Sequence, residues 1–224
     1  MPLTLVTPPV NPILSLEDAR AQLRVEACGS PPEHPDDALI TALIGMVASE
    51  LDGVDGWLGR ALIDQTWLLT LDQFPGAARR HFVFDWCAVQ DRLYLPLTSP
   101  QYSGASPAPA PVIELSYVDC NGVTTVLAEG DDYRVVTDSD PVFLEPAYGT
   151  AWPATRDIAG AVRLTYEAGY GPDAADIPGT IINYARLRLG QLYEFRELVI
   201  AGTIVAEIPF IRDSLENIRL RGFK

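Results

Sequence analysis

Val112-Ile113-Glu114-Leu115-Ser116-Tyr117-Val118-Asp119, then Cys120-Asn121-Gly122, then Val123-Thr124-Thr125-Val126-Leu127: two β-prone runs joined by a short polar turn lie at the middle of a 224-residue chain. β-Branched and aromatic residues suit a pleated, half-buried surface, and Asn121-Gly122 accepts the positive φ values of a type I′ turn, so the stretch predicts a hairpin. Working outward, residues 66–72 alternate Trp67, Leu69 and Leu71 against Thr66, Leu68 and Thr70, the period of a strand. Shorter strand candidates fall at residues 82–84, 93–95, 133–136, 142–144 and 161–166, and the Pro-, Ala- and Ser-rich residues 101–111 read as a linker or loop tip. Residues 61–175 are therefore expected to form an antiparallel β module.

On either side the period changes to that of helices. After an arm broken by Pro2, Pro8, Pro9 and Pro12, Ser15 reads as an N-cap with Glu17 and Asp18 in the first turn and Leu16, Ala19 and Leu23 as one apolar stripe. Prolines 31, 32 and 35 make the next stretch a loop. Asp36 and Asp37 open a longer helix, with Leu39, Ile40, Leu43, Ile44, Val47, Leu51, Val54 and Leu58 at helical spacing and Gly59 as its stop. Gly53, Gly56 and Gly59 fall three apart, which weakens a helix and permits a neighbour to approach closely. After Pro178, Ile182, Ala185, Leu189, Leu192 and Tyr193 define a further helix ending near Arg196. Residues 198–209 are apolar and extended or strand-like, and Ile211, Leu215 and Ile218 stripe a short last helix. The expected fold class is α+β: a helical domain made from residues 1–60 and 176–224, with the β module of residues 61–175 inserted.

Charge and composition narrow the function. The formal charge of −14 is unfavourable for gripping nucleic acid, whose backbone binding depends on Lys and Arg. Residues 1–60 carry nine acids and three bases, residues 61–175 fifteen and six, and residues 176–224 six and seven, so only the C-terminal part escapes the acidic excess. No signal-peptide pattern and no apolar run of membrane-spanning length occurs, and a soluble, cytoplasmic product is expected. Cys28, Cys87 and Cys120 are widely spaced with no Cys-x-x-Cys pair, and only His34 and His81 stand beside them, which predicts buried or idle thiols and no metal centre.

Convergent acid, base or nucleophile groups are absent from the sequence, so no catalytic residue and no cofactor is expected. Asp131-Asp132 and Asp138-Ser139-Asp140 lack the ordered spacing of an EF-hand and read as solvated turns. Trp57, Trp67, Trp86 and Trp152 suit core or subunit-interface packing, with a sugar-binding face as the alternative. A C-terminal run with too little local core for Ile204, Ile208, Phe210, Ile211 and Phe223 is expected to find a partner surface, or else to fold back on its own helical domain.

The order of particular stretches resembles the head-tail connector (adaptor, head-completion) family of tailed phages and gene transfer agents. They are Leu14-Ser15-Leu16-Glu17-Asp18-Ala19 to Arg24, Asp36-Asp37-Ala38-Leu39-Ile40, Gly59-Arg60-Ala61-Leu62-Ile63-Asp64-Gln65-Thr66-Trp67, Tyr133-Arg134-Val135, Tyr166-Glu167-Ala168-Gly169-Tyr170-Gly171 and Thr203-Ile204-Val205-Ala206-Glu207-Ile208-Pro209-Phe210. The resemblance implies a structural subunit, not an enzyme. It would be made in the bacterial cytoplasm, sit in the virion neck at the head-tail junction, and form a homo-oligomeric ring, usually of twelve copies. Its implied partners are the portal protein and a tail-side stopper or neck protein. DNA would pass along the channel without sequence-specific binding, and no membrane would be involved. The implied portal interface is Ile204, Ile208, Phe210, Ile211, Leu215, Ile218, Arg219, Arg221 and Phe223. A β-rich binding module, carbohydrate-binding or a baseplate component, is the alternative.

Overall fold

The structure, a computed structural model, describes residues 3–29, 32–76, 88–89, 91–98, 112–195 and 215–220. The class is α+β: three helices and two antiparallel sheets among the described residues. Two compact units divide the chain, one of Met1–Pro8 with Asp64–Tyr170, the other of Pro9–Ile63 with Gly171–Lys224.

Among the described residues all the strands lie in the first unit: β1 (Leu3–Thr7), β2 (Gln65–Leu71), β3 (Ala88–Val89), β4 (Arg92–Tyr94), β5 (Val112–Val118), β6 (Thr124–Leu127), β7 (Tyr133–Val136), β8 (Phe143–Pro146) and β9 (Val162–Ala168). One sheet has the order β1-β2-β9-β5-β6 and the other β3-β4-β8-β7. Register explains the core of the larger sheet. Leu3, Leu69, Leu164, Leu115 and Leu127 form one row across all five strands, and all but Leu3 are buried. Trp67, Tyr166 and Val112 form the next row, also buried. Each such side chain withdrawn from water contributes about 1.5–3 kcal/mol. The Tyr166 hydroxyl stays satisfied by donating to the Pro96 carbonyl at 2.9 Å.

Two expectations are corrected in this unit. The hairpin is present, but only Gly122 of its turn has positive φ (+87°), so the turn is not type I′. Gly122 N–H donates to the Asp119 carbonyl and Asp119 N–H to the Val123 carbonyl, both at 2.9 Å, which closes a three-residue loop. The Asp119 carboxylate accepts from the amides of Asn121 and Val123 at 2.8 Å and so favours the longer turn. These amides, Val123 first, hold the Asp119 carboxyl below its ordinary pKa. The second correction is β1, which sequence reading treated as part of a proline-rich arm. Its Leu-Thr-Leu-Val-Thr run ends before Pro8, and pairing with β2 satisfies one side of a strand whose own side chains are mostly exposed.

The second unit packs α1 (Leu16–Leu23), α2 (Asp37–Leu51) and α3 (Gly179–Glu194) pairwise. Ser15 caps α1 as expected, its Oγ accepting from Asp18 N–H at 3.0 Å. The second helix is shorter than its apolar pattern. It stops at Leu51 because Asp52 is extended (φ −92°, ψ 147°) and turns its carboxylate to Leu62 N–H at 2.9 Å, after which Gly53 takes φ +77°. Val54 is consequently exposed, while Leu58 is buried from a loop. Ile40, Leu43, Ile44, Val47 and Leu51 from α2 and Ile181, Ala185 and Leu189 from α3 supply much of the core. The strand expected at residues 82–84, the linker at 101–111 and the apolar residues 198–209 lie outside the described residues.

Candidate assembly surface

The residues expected from the sequence to meet a partner lie near the C-terminus, and part of that stretch is held by the helical unit. The loop Gly56-Trp57-Leu58-Gly59-Arg60 receives residues 215–220. Leu220 N–H donates to the Leu58 carbonyl at 2.9 Å, and the Arg60 Nε donates to the Ile218 carbonyl at 2.6 Å. The Arg219 guanidinium lies over the Trp57 ring, 4.9 Å from its centre, a cation–π contact. Leu215 and Leu220 are buried, and Ile218 and Arg219 N–H groups both donate to the Leu215 carbonyl, forming one helical turn.

Gly59 explains why the backbones meet this closely. Its φ is +65°, and a Cβ there would lie 3.1 Å from the Leu220 carbonyl oxygen. Of the three glycines only Gly59 meets another segment, and it does so in a loop and not on a helix: Gly53 has open space around it and Gly56 abuts the end of α2. Arg60 is 2% exposed, a buried charge whose Nε is satisfied by a backbone carbonyl. The sequence pattern puts Leu58 on a helix and gives Arg60 and Leu220 no separate role; of the glycines it marks, Gly59 is the one at this contact.

Of the nine residues implied as a portal interface, Leu215, Ile218 and Arg219 are described, and all three belong to this docked stretch. Leu215 is fully buried, so in this conformation its side chain is core and not free surface. Ile204, Ile208, Phe210, Ile211, Arg221 and Phe223 lie outside the described residues. The helix α3 ends at Glu194, and residues 215–220 belong to the same compact unit.

Polar ties hold the three helices. Arg20 of α1 pairs with Asp37 at the start of α2 through Nε at 2.7 Å and through NH2. His34 N–H donates to the same carboxylate, and the Tyr193 hydroxyl donates to Asp36 Oδ2 at 2.6 Å. On the opposite end of α2, Glu50 receives a fork from Arg188 of α3 with both distances 2.9 Å. The Arg20 hydrogen bond, then the His34 amide, hold the Asp37 carboxyl below its ordinary pKa. That stabilisation is complete above the unfolded carboxylate pKa of about 4 and is lost as pH falls through the lower folded value. Asp37→Asn is therefore expected to melt below the wild type at pH 7, with the gap closing as the pH is lowered through that range; a gap independent of pH between 7 and 2 contradicts this assignment.

Other candidates resolve as structural. Trp152 stacks on Phe74 at 4.7 Å, nearly parallel, and its indole N–H donates to the Asp91 carbonyl at 2.7 Å. One ring face and the only polar atom are occupied, which argues against a sugar platform there. Trp67 is core, Trp57 carries Arg219, and Trp86 lies outside the described residues. Cys28 and Cys120 are exposed free thiols, not buried ones. His34 Nδ1 accepts from Asp36 N–H at 3.1 Å and shapes the α2 entrance. Asp132 accepts from Ala128 N–H at 2.8 Å, as a turn residue would. Among the described residues no group of three or more His, Cys, Asp or Glu could hold a metal, and no helix is long and apolar enough to cross a membrane.

This architecture is similar to that of subunits from gene transfer agent (GTA) particles, and the match takes in 100% of this chain and 100% of each chain compared. A chain in the neck of an empty GTA particle computed with C6 symmetry is 25% identical, with a TM-score of 0.67. A chain in the virion of a native GTA particle is 23% identical at 0.67, and one in the neck of a native GTA particle computed with C12 symmetry is 21% identical at 0.60. The resemblance to neck proteins read from the sequence is thus met by whole-length similarity of fold. No protein-family model and no curated protein matches the chain.

Proposed function

We propose that this chain is a structural subunit of the neck of a gene transfer agent or tailed phage, and within it the head-tail connector (adaptor) that forms a ring under the portal. The observation that carries the reading is the whole-length similarity to a chain from a GTA neck. The ring extends the DNA channel and joins the head to a tail-side stopper. Its subunits work by holding surfaces together and perform no chemistry. The acidic excess of residues 61–175 suits a channel or platform that must not arrest DNA, because like charge repels phosphate.

In this reading Ile204, Ile208, Phe210, Ile211, Arg221 and Phe223 meet the portal, while Leu215, Ile218 and Arg219 seat the stretch on the helical unit. Support comes from the apolar character of residues 198–211 and from the docking of residues 215–220, which fixes the base from which such a contact is made. Ile204→Asp/Ile208→Asp/Phe210→Asp should leave the melting temperature of the purified chain within about 2 °C of wild type. The same variant should yield filled heads without tails. Tailed particles at the normal yield would remove the portal assignment from this segment.

A further inference from the structure

The two sheets of the first unit end differently. The four-stranded sheet ends on β3, two residues long, and on β7, whose Arg134 is exposed and ion-paired with Glu145, with Asp131 and Asp132 just before the strand and Asp138 just after it. Short length and edge charge are ordinary protections against strand-to-strand association. The five-stranded sheet ends on β1 and β6, and neither residues 3–7 nor residues 123–128 contain a charged side chain. Leu5 and Val6 are 41% and 54% exposed, Val123 and Val126 58% and 59%.

Hydrogen-bond alternation defines the free edge of β6. Asp119 N–H bonds the Val123 carbonyl, so with the register Tyr117↔Thr125 and Leu115↔Leu127 the bonding groups of Thr125 and Leu127 face β5. The main-chain groups of Thr124 and Val126 face outward. The next outward amide, that of Ala128, is already taken by Asp132. On β1 a register shift between Leu5 and Thr7 leaves Leu3, Thr4 and Leu5 as its regular part.

Topology decides which association these edges favour. All neighbours in the sheet are antiparallel, so β1 and β6, the first and fifth strands, run in the same direction. A two-fold contact pairs an edge with its own copy, antiparallel, and closes at two chains. Joining β6 of one copy to β1 of the next makes a parallel pair, which a rotation about an axis along the strands preserves, and it repeats until a ring closes. Charge favours these edges too: residues 61–175 carry fifteen acids against six bases, so copies meeting through uncharged edges avoid bringing acid to acid.

We infer that β6 of each copy adds in parallel to β1 of a second copy, making the five-stranded sheets one continuous wall around the ring. The inference rests on the ring reading above and names the contact that builds it. Two measurements on the full chain in assembled particles test it. Val6→Glu and Val126→Lys, each alone, should lower the copies of the chain per particle about tenfold, and the double variant should restore them. With Cys28, Cys87 and Cys120 changed to Ser, Val6→Cys/Val126→Cys treated with a short bismaleimide should give a ladder extending beyond dimers, and each single cysteine none. Normal rings with no ladder overturn this contact and leave the ring reading standing. A ladder that stops at dimers, or a dimer from Val6→Cys alone, overturns it in favour of a two-fold contact. Wild-type necks in which this chain forms no ring overturn both.

Discussion

Leu215→Asp is expected to lower the melting temperature of the purified chain by about 10 °C, with amide protection in α2 and α3 falling in parallel. Leu215 is fully buried, and its carbonyl receives both amides of the one helical turn that seats residues 215–220. A carboxylate there loses the apolar burial and must enter a site without a partner, at a cost of about 3–5 kcal/mol. Asn217→Asp, two residues on and exposed, is the control and should melt with the wild type. The result bears on any truncation experiment. Removing residues 204–224 also removes Leu215 and Leu220, so loss of head-tail joining after that deletion mixes loss of a contact with loss of the fold. Substitutions at Ile204, Ile208 and Phe210 separate the two.

Gly169→Val is expected to destabilise the β unit by about 3 kcal/mol or more. The last register pair of β2 and β9 is Gln65↔Ala168, and one step beyond it Gly169 passes Asp64. A Cβ on Gly169 would lie 2.5 Å from the Asp64 amide nitrogen and 2.6 Å from its Cα, distances at which backbone must move. The two strands can then pair at this end only by shifting register or parting. Gly45→Ala gives the contrast. Gly45 lies inside α2 with nothing within 4 Å of an added Cβ, and the substitution should stabilise the isolated chain by about 0.5–1 kcal/mol by relieving the helix of a flexible residue. Equal melting of Gly169→Val and wild type would contradict this close approach of Gly169 to Asp64.

Local signals in the chain translate into structure where a residue type has one physical use. Ser15 before two acids gave the α1 start, and the alternation at Trp67 and Leu69 gave the buried face of β2, with Leu71 only half-buried at its end. The signals that misled were those with two uses. Asn-Gly permits a two-residue turn, yet the Asp119 carboxylate captures two amides and selects a longer one. Val54 and Leu58 continue a helical spacing, yet Asp52 and Gly53 end the helix, and Leu58 reaches the core from a loop. Residues 3–7 carry strand-forming side chains, but their pairing partner lies about sixty residues away and only tertiary structure supplies it. Residues 215–220 follow the alternative of folding back on the helical domain, but their partners were hidden for the same reason: Arg60 to Ile218 is a contact across 158 residues, made to a main-chain carbonyl that no side-chain pattern encodes.

A ring built from this chain needs a surface for its own copies, one for the portal and one for the tail side, and the two units divide the material for them. The β unit offers two uncharged sheet edges; the helical unit offers a seated C-terminal stretch beside an apolar run. Both depend on this chain being a neck component. Electron cryo-microscopy of particles from a producer that lacks this chain, beside the same producer complemented with it, tests that most directly. The account predicts DNA-filled heads with a portal but no ring beneath it and no tail, with ring and tails both restored by complementation. Tailed particles with a complete neck in the absence of the chain would contradict it.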